Sequence, residues 1–389
     1  MVTFLPTRPG RLADVPSFDR AIGGAESNVA CALAAAGHAV RWVSRVGADG
    51  FGDHLVETVA SYGVDVSSVG RDPLRPTGVY FRTAGDRATE AHEVAYYRAG
   101  SAASAMSAAT VDLAAARAGR ILHLSGITAA LSEGCLGLLR ELTAPAGGRP
   151  VVSFDVNYRA GLWTDPEAAA VLLDLARCAD LVFVGEDEAE EAWGVTGGPS
   201  AIRELLPEPE VLVVKQGGVG ATAFVSGAGA WGLVAPTRRQ PQIKYSPAPL
   251  KASAPGSRAA GAARVGAGGP PSGGGTPQAR ASETPPPAPS HGTFEPAPTV
   301  DVVAPVGAGD AFAAGFLSGT LRGLPVGQTL RLGHLFAAAA LTTPADLAPP
   351  PARDTTDRLT ALDDSGWERL RLGPGWTQAD AAEEEERTP

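Results

Sequence analysis

The sequence predicts an α/β protein built on a doubly wound, mostly parallel sheet that is flanked by helices. From residue 119 onward, short apolar runs of four to six residues alternate with stretches of helical periodicity. The runs show little apolar–polar alternation, which is typical of strands that helices cover on both faces. Repeated strand–helix–strand units favour a parallel sheet, because parallel neighbours need a crossover connection.

Each element follows from a local pattern. Helical spacing of apolar residues predicts a helix over Ala25 to Ala36, which Gly37 ends, and a strand follows over Ala39 to Val46. A hairpin is expected at about 75–98, from Thr77–Phe81 through a turn at Gly85–Asp86 to Val94–Arg98, projecting from the core as a lid. The apolar runs predict strands at Arg120–Ser125, Pro150–Asp155, Asp180–Val184 and Val211–Lys215, with helices at Ser132–Leu142 and Pro166–Ala176.

Composition narrows the class of protein. The 389 residues are 44% hydrophobic and carry a net charge of −10, which excludes disorder throughout and gives no sign of a nucleic-acid binder. The three cysteines, Cys31, Cys135 and Cys178, lie far apart, which argues against a disulfide framework or a zinc site. No apolar run approaches the roughly 18 residues of a membrane span and no signal pattern opens the chain, so a cytoplasmic protein is expected.

Glycine and proline are concentrated between about Thr237 and Pro298, where large apolar residues are almost absent. Such a stretch cannot bury enough surface to offset the entropy of ordering it, so residues 237–298 are predicted to be a disordered insertion. The acidic residues 378–389 are predicted to be a disordered tail. A single domain over 1–377 is the simplest organisation.

The sharpest motif is Gly307-Ala308-Gly309-Asp310, which directly precedes an apolar helical run over Ala311 to Leu321. Free N–H groups and the positive end of the helix meet there, which suits a phosphoryl group. The carboxylate of Asp310 could accept a proton from an attacking hydroxyl. A simple capped turn is the alternative, since Asp is a favoured residue at helix starts.

Two more glycine turns, Gly23–Asn28 and Gly47–Gly52, frame the first helix and the strand that follows it. Together with Gly307–Asp310, this order of motifs resembles the ribokinase-like (PfkB) family of sugar kinases. The resemblance implies that Gly24 and Asn28 contact sugar hydroxyls and that Asp310 is the catalytic base. It also implies that the backbone amides of Gly307, Ala308 and Gly309 form the anion hole.

Within that family, the segments Tyr96–Ser104, Ile121–Ile127 and Ser153–Arg159 are similar to 2-keto-3-deoxygluconate kinases. This implies that Tyr80 and Tyr96 pack against the sugar acid while Arg98 and Arg159 meet its carboxylate. Arginine pairs with carboxylate through two parallel hydrogen bonds, so the residue type suits the task. The alternatives are an exposed charge ending a strand for Arg98 and a loop arginine for Arg159.

The nucleotide half carries weaker signals. Lys215, Gly217, Gly218 and Gly220 follow an apolar strand and resemble the ATP-side loop of the family; a plain hairpin from Val214 to Ala223 is the alternative. The Asn-x-x-Glu motif of the family falls at Gly185–Glu188, so only Glu188 carries over, acting on Mg²⁺ through water. Its alternative is an ordinary acidic first turn of a helix.

Two departures from the family stand out. Ala304-Pro305 replaces an Asp-Thr pair before the anion loop, which removes a hydroxyl but leaves the amides and the base. The family also has a strand before the segment that Val2 to Pro6 resembles, so we expect a start upstream of Met1.

The leading hypothesis is an ATP- and Mg²⁺-dependent kinase of 2-keto-3-deoxygluconate that acts on the 6-hydroxyl. The alternatives are a kinase of a neutral sugar such as fructose or ribose and a ribokinase-like protein that binds without turnover. A dinucleotide oxidoreductase is disfavoured, because no Gly-x-Gly-x-x-Gly follows a first strand. A homodimer that pairs through the lid is expected, with no nucleic-acid or membrane partner.

Overall fold

The computed structural model describes residues 1–8, 10–83, 93–163, 167–226, 292–345 and 347–378. The strands within these residues are β1 (Val2–Pro6), β2 (Phe18–Ile22), β3 (Ser44–Gly47), β4 (Val69–Asp72), β5 (Val79–Arg82), β6 (Val94–Tyr97), β7 (Ile121–Ser125), β8 (Val151–Asp155), β9 (Leu181–Gly185), β10 (Val211–Lys215), β11 (Gly220–Val225), β12 (Thr293–Pro296), β13 (Thr299–Val300) and β14 (Arg371–Leu372).

The helices of the same residues are α1 (Ala25–Ala35), α2 (Gly50–Ser61), α3 (Leu113–Arg117), α4 (Gly126–Ala129), α5 (Glu133–Thr143), α6 (Ala168–Cys178), α7 (Glu186–Trp193), α8 (Gly198–Leu205), α9 (Ala308–Arg322), α10 (Val326–Leu341), α11 (Arg353–Thr360) and α12 (Asp364–Glu368). None of the helices in the described ranges is long and apolar enough to cross a membrane.

The main sheet has six strands in the order β12-β11-β10-β9-β8-β7. The four strands from β7 to β10 are parallel, and β11 and β12 continue the sheet in antiparallel pairing. The carboxyl ends of the parallel strands therefore lie along one edge, called the carboxyl edge below, where ligands bind in open α/β sheets.

Helices cover both faces of this sheet, as the apolar runs predict. Along β9, Val182 and Val184 face one core together with α5, α6 and α8, whereas Leu181 and Phe183 face a second core with α1, α9 and α10. All four side chains are fully buried. The predicted doubly wound α/β class is confirmed.

The predicted hairpin is half of a larger element. β5 and β6 pair antiparallel, and β1 and β2 extend them into a four-stranded sheet in the order β2-β1-β5-β6, called the lid sheet below. Residues 2–6 are thus a strand of the lid sheet. The predicted turn at Gly85–Asp86 lies outside the described residues.

Two boundaries differ from the sequence expectation. The strand expected over 39–46 begins only at Ser44, because Arg41 makes a single bridge to Asp65 before regular pairing with β4 starts. The last part of the range predicted as an insertion contains β12, which pairs with β11, and Glu295 in β12 forms an ion pair with Arg331 at 2.8 Å. The described residues group into one compact unit. Residues 238–289 lie outside the described residues.

A cavity of about 500 Å³ lies beside β7. Its lining comes from residues 38–44, from α1 and α5, and from residues 120–124 of the β7 segment. Within the described residues, β7 pairs with β8 on one side, and its other edge faces this cavity. The lid sheet and the carboxyl edge of the main sheet then define where the candidate site lies.

Candidate active site

The start of α9 has the backbone form that the Gly-Ala-Gly-Asp motif predicts. Gly307 caps the helix with φ 80°, in the left-handed region that favours glycine, and α9 begins at Ala308. The first N–H groups of a helix have no partner within the helix, so those of Ala308 and Gly309 are available to a ligand. Phe316 and Leu317 anchor the helix in the core. The anion-binding role of this loop stays a prediction.

Asp310, in the first turn of α9, is held by a side chain from α1. The Nδ2 of Asn28 donates to Oδ2 of Asp310 at 2.9 Å. Burial raises the pKa of Asp310 to about 7; the Asn28 bond opposes that rise, the charge of Asp155 adds to it and Lys215 opposes it. A carboxyl group whose pKa lies near 7 can accept a proton and release it at neutral pH.

Gly24 and Asn28 sit together at the start of α1. Gly24 has φ 147°, and a Cβ there would lie 2.9 Å from Oγ of Ser27, so a side chain would be strained. The N–H of Asn28 donates to the Gly24 carbonyl at 2.8 Å, which closes the first turn. Oδ1 of Asn28 is buried and has no hydrogen-bond partner among the described residues. Asn28 therefore holds Asp310 through its amide nitrogen and leaves its amide oxygen for a donor.

Four charged side chains meet at the carboxyl edge. Nζ of Lys215, the last residue of β10, lies 3.0 Å from Oδ1 of Asp155, the last residue of β8. Arg159 donates to Oε1 of Glu188 at 3.0 Å, and Oε2 of Glu188 accepts from the Gly185 N–H at 2.8 Å. Of these groups, Asp155 and Lys215 act on Asp310 through their charges, and Asp310 acts on Arg159.

The pKa shifts within this cluster differ from one residue to the next. Burial raises the pKa of Asp155, although the charge of Lys215 opposes the rise. Burial would lower the pKa of Lys215, but the charges of Asp155 and Glu188 raise it overall. Burial would raise the pKa of Glu188, but Lys215, the Gly185 amide and Arg159 lower it overall. The Lys215 ammonium and the Glu188 carboxylate are therefore ionised at neutral pH.

The lid sheet contributes the aromatic candidates. Tyr80 and Tyr96 are directly opposite each other on β5 and β6, with ring centroids 5.5 Å apart. Tyr80 is buried, whereas half of Tyr96 is exposed. Cζ of Arg98 lies 4.5 Å from the centroid of the Tyr96 ring, a cation–π geometry. Burial lowers the pKa of Arg98, and the charges of Tyr96 and Glu26 oppose this.

The glycines after Lys215 form a turn. β10 and β11 pair as an antiparallel hairpin, with Val214 opposite Thr222, so the hairpin alternative describes the local structure. Gly217 has φ 56° and open space around it, and Gly218 is open as well. A Cβ at Gly220 would lie 2.4 Å from the carbonyl oxygen of Glu295, so glycine is required for packing there. Lys215 points to Asp155 at the carboxyl edge. The nucleotide roles of the three glycines stay predictions.

Sequence reasoning missed two carboxylates. Asp155 is 2% exposed and ends an apolar strand at the carboxyl edge, which is the signal that could have identified it. Glu26 lies within the Gly23–Asn28 motif; it accepts a hydrogen bond from Thr128, and its charge acts on both Arg98 and Asp310. The importance of both carboxylates becomes clear only from the residues that lie near them in the folded chain.

The cluster fits Mg²⁺ in the way that phosphotransferases use it. No group of three or more His, Cys, Asp or Glu side chains that could hold a metal occurs among the described residues. Mg²⁺ in nucleotide sites is usually held by one or two carboxylates together with substrate phosphates and water. Glu188 supplies a carboxylate of this kind, whereas both oxygens of Asp155 accept from the Lys215 ammonium.

Known proteins match this chain over most of its length. A family model described as pfkB family carbohydrate kinase matches residues 2–240 and 289–353. A 2-dehydro-3-deoxygluconokinase of Thermoproteus tenax is 34% identical over 222 residues, which are 56% of this chain and 67% of that protein. A 2-dehydro-3-deoxygluconokinase of Bacillus subtilis is 29% identical over 359 residues, 91% of each chain.

Other relatives act on different sugars. Fructokinase-1 of Oryza sativa is 31% identical over 229 residues, 58% of this chain and 70% of that protein. Among solved structures, a PfkB protein from Polaromonas sp. JS666 superimposes with a TM-score of 0.66 at 27% identity, covering 93% of this chain and 97% of the other.

Proposed function

Because this chain belongs to the pfkB family of carbohydrate kinases and is an ATP-dependent sugar kinase, we propose that it phosphorylates the 6-hydroxyl of 2-keto-3-deoxygluconate with Asp310 as the catalytic base. The observation that carries the proposal is the carboxylate of Asp310. It lies in the first turn of α9 behind the glycine loop, Asn28 holds it, and its pKa is raised to about 7.

The chemical step is an in-line transfer. The sugar hydroxyl attacks the terminal phosphorus of ATP, the bond between that phosphorus and the bridging oxygen of ADP breaks, and the hydroxyl proton passes to Asp310. The amides of Gly307, Ala308 and Gly309 hold the phosphoryl oxygens at the start of α9. Bound Mg²⁺, reached from Glu188 through water, would neutralise phosphate charge.

The choice of a sugar acid rests on the arginines and on the relatives. Arg98 and Arg159 are guanidinium groups on two sides of the candidate site, one on the lid sheet and one beside Glu188 at the carboxyl edge. Two relatives, one of which aligns over 91% of this chain, are 2-dehydro-3-deoxygluconokinases. Tyr80 and Tyr96 supply an aromatic wall, with Gly24 and the free Oδ1 of Asn28 facing sugar hydroxyls.

A neutral-sugar kinase is the second candidate. Arg159 pairs with Glu188 at 3.0 Å, so part of its charge is neutralised within the protein. The resemblance to a fructokinase supports the same alternative. A protein that binds without turnover is a third, since Gly185 and Ala304-Pro305 depart from the family motifs.

The deciding experiment is ADP release over a substrate panel. With ATP and Mg²⁺, the purified protein is presented in turn with 2-keto-3-deoxygluconate, other gluconate-derived acids, fructose, ribose and glucose. The proposal expects the highest kcat/KM for 2-keto-3-deoxygluconate. A preference for a neutral sugar would support the second candidate, and ATP binding without ADP release on any sugar would support the third.

A further inference from the structure

Lys215 occupies an unusual position for a buried cation. It ends β10 in the interior of the main sheet, and its ammonium reaches across β9 to the carboxylate of Asp155, at 3.0 Å from Oδ1 and 3.2 Å from Oδ2. The Asp155 side chain is 3% exposed, whereas 18% of the Lys215 side chain remains exposed. Asp155 thus lies in the interior behind Lys215.

The same ammonium lies beside the glycine loop at the start of α9. A Cβ built on Gly309 would lie 3.6 Å from Nζ of Lys215. Since Gly309 has no side chain, the space between its backbone and the ammonium stays clear. An ammonium has three N–H donors, and two contacts to Asp155 leave one donor for another acceptor.

We propose that Lys215 is a catalytic residue that donates to the terminal phosphoryl group of ATP at the start of α9. This rests on the proposed kinase function and assigns Lys215 to the transferring phosphate. During the transfer, negative charge spreads over the oxygens of the group that leaves ADP and joins the sugar hydroxyl, while Asp310 takes the proton. A fixed positive charge beside those oxygens stabilises that state.

Asp155 is a positioning residue in this arrangement. It is bonded to the ammonium through both carboxylate oxygens and so limits where Nζ can lie. An ammonium held in one place needs little reorganisation as negative charge develops on the phosphoryl oxygens.

The proposal predicts different effects of a Lys215 substitution on ATP binding and on ADP binding. ATP carries the terminal phosphoryl group and ADP does not, so loss of Lys215 should weaken the binding of ATP far more than that of ADP. The test is the dissociation constant of each nucleotide, with Mg²⁺ and without sugar, for the full chain and for Lys215→Met. We expect the constant for ATP to rise about ten- to a hundredfold, as for a lost charged hydrogen bond, and that for ADP to change less than about threefold.

Lys215→Met leaves Asp155 buried without its partner and can fail to fold, so Lys215→Met combined with Asp155→Asn removes both charges. The double variant is expected to show the same selective loss of ATP affinity. Arg149→Met is the matched control, because Arg149 forms an equally buried ion pair with Asp180 at the opposite edge of the sheet, 2.7 Å apart. That variant should keep the ratio of the two constants. Lys215→Arg, which retains the charge, should restore part of the selectivity.

Equal loss of ATP and ADP affinity in the Lys215 variants, or no loss in either, would overturn the proposal. These outcomes are separate from those of the substrate panel. Selective loss of ATP affinity with no turnover of 2-keto-3-deoxygluconate would support the role of Lys215 and overturn the proposed substrate. Turnover of that substrate, with an unchanged ratio of the ATP and ADP dissociation constants in the Lys215 variants, would support the proposed substrate and overturn the role of Lys215.

Discussion

Three factors set the pKa of Asp310: burial, the hydrogen bond from Asn28 and the charges of Asp155 and Lys215. Asp310→Asn keeps the size of the side chain but cannot accept the hydroxyl proton. We expect kcat to fall by about 10² to 10⁴ while nucleotide and sugar affinities change little, because general-base loss is typically of that size. Rapid kinetics and equilibrium binding on the same preparations would measure both. Unchanged turnover would assign the carboxylate to the helix start alone.

The pKa of Asp310 also predicts the pH dependence. A base acts in its deprotonated form, so kcat/KM should rise with pH as Asp310 loses its proton, with a midpoint near 7. The Asn28 bond favours the ionised form, so Asn28→Ala should move the midpoint upward, by about one unit if the bond contributes about 1.4 kcal/mol. A pH profile of both proteins measures the shift. A lower rate with an unmoved midpoint would mean that Asn28 acts only on the sugar.

Replacing Arg98 with Ala tests which substrate class the site binds. If its guanidinium meets a carboxylate, affinity for 2-keto-3-deoxygluconate should fall about ten- to a hundredfold, with little change for neutral hexoses, since charged hydrogen bonds contribute roughly 1.5 to 3 kcal/mol. KM values for both sugar types measure this. Arg159→Ala should show the same pattern and also change the Mg²⁺ dependence, because Arg159 pairs with Glu188.

The control for these variants is Arg41→Ala. Arg41 pairs with Asp65 on the surface, near the cavity beside β7. The Arg41→Ala variant should therefore leave the KM of every substrate unchanged. A parallel loss of affinity for acids and hexoses in Arg98→Ala would assign that residue to the lid sheet itself.

At the scale of elements, β12 (Thr293–Pro296) lies inside the range that composition predicts as an insertion. Removal of residues 238–289 should leave kinase activity within a few-fold and the melting temperature nearly unchanged, because their composition is that of a linker and loop-closure entropy grows only with the logarithm of length. Extending the deletion to residue 296 removes β12 and the ion pair between Glu295 and Arg331. That longer variant should lose cooperative unfolding, which differential scanning calorimetry would detect. Equal stability of the two deletions would show that β12 is dispensable.

Prediction of elements succeeded where the local pattern is strong. The strands at 121–125, 151–155, 181–185 and 211–215 are uniform apolar runs, and each was expected within about two residues. β12 was missed because its sequence, Thr-Phe-Glu-Pro, has only one large apolar residue and follows a Gly/Pro-rich stretch. β12 forms because it pairs with the edge of β11, and residues 293–296 alone carry no sign of that partner.

For the molecule as a whole, we propose that two copies pair through the lid sheet. Four aromatic side chains of the lid sheet and Phe51 of α2 form one cluster: Phe4 stacks on Phe81 at 4.8 Å, and Phe18, Phe51 and Tyr97 pack around them. Tyr97 and Phe51 remain 65% and 40% exposed, and exposed aromatic patches of this kind mark interaction surfaces.

Light scattering after size exclusion should therefore find a dimer of the full chain and a monomer of Tyr97→Glu. The control is Leu74→Glu, since Leu74 is highly exposed but lies outside the lid sheet and should leave the dimer intact. A monomeric parent chain at tens of micromolar would contradict the pairing.

The sequence by itself determined the doubly wound class, the four parallel strands β7 to β10 and the family. The class and the strands depend on the periodicity of apolar side chains within single segments, and the family depends on glycine motifs whose order along the chain is visible without the fold. The proposal that Asp310 is the base also starts from a motif of four consecutive residues.

Only the tertiary structure decided which distant groups meet. Asn28 and Asp310 are 282 positions apart, and Lys215 and Asp155 are 60 apart and separated in space by β9. Contacts between distant segments also place β1 and β2 in the lid sheet and form the cavity beside β7. A residue sequence specifies what a side chain can bind, but its actual partner depends on which strand ends reach the same edge of the folded sheet. For that reason the pairing of Lys215 with Asp155, on which the proposed role of Lys215 rests, is visible only in the folded chain.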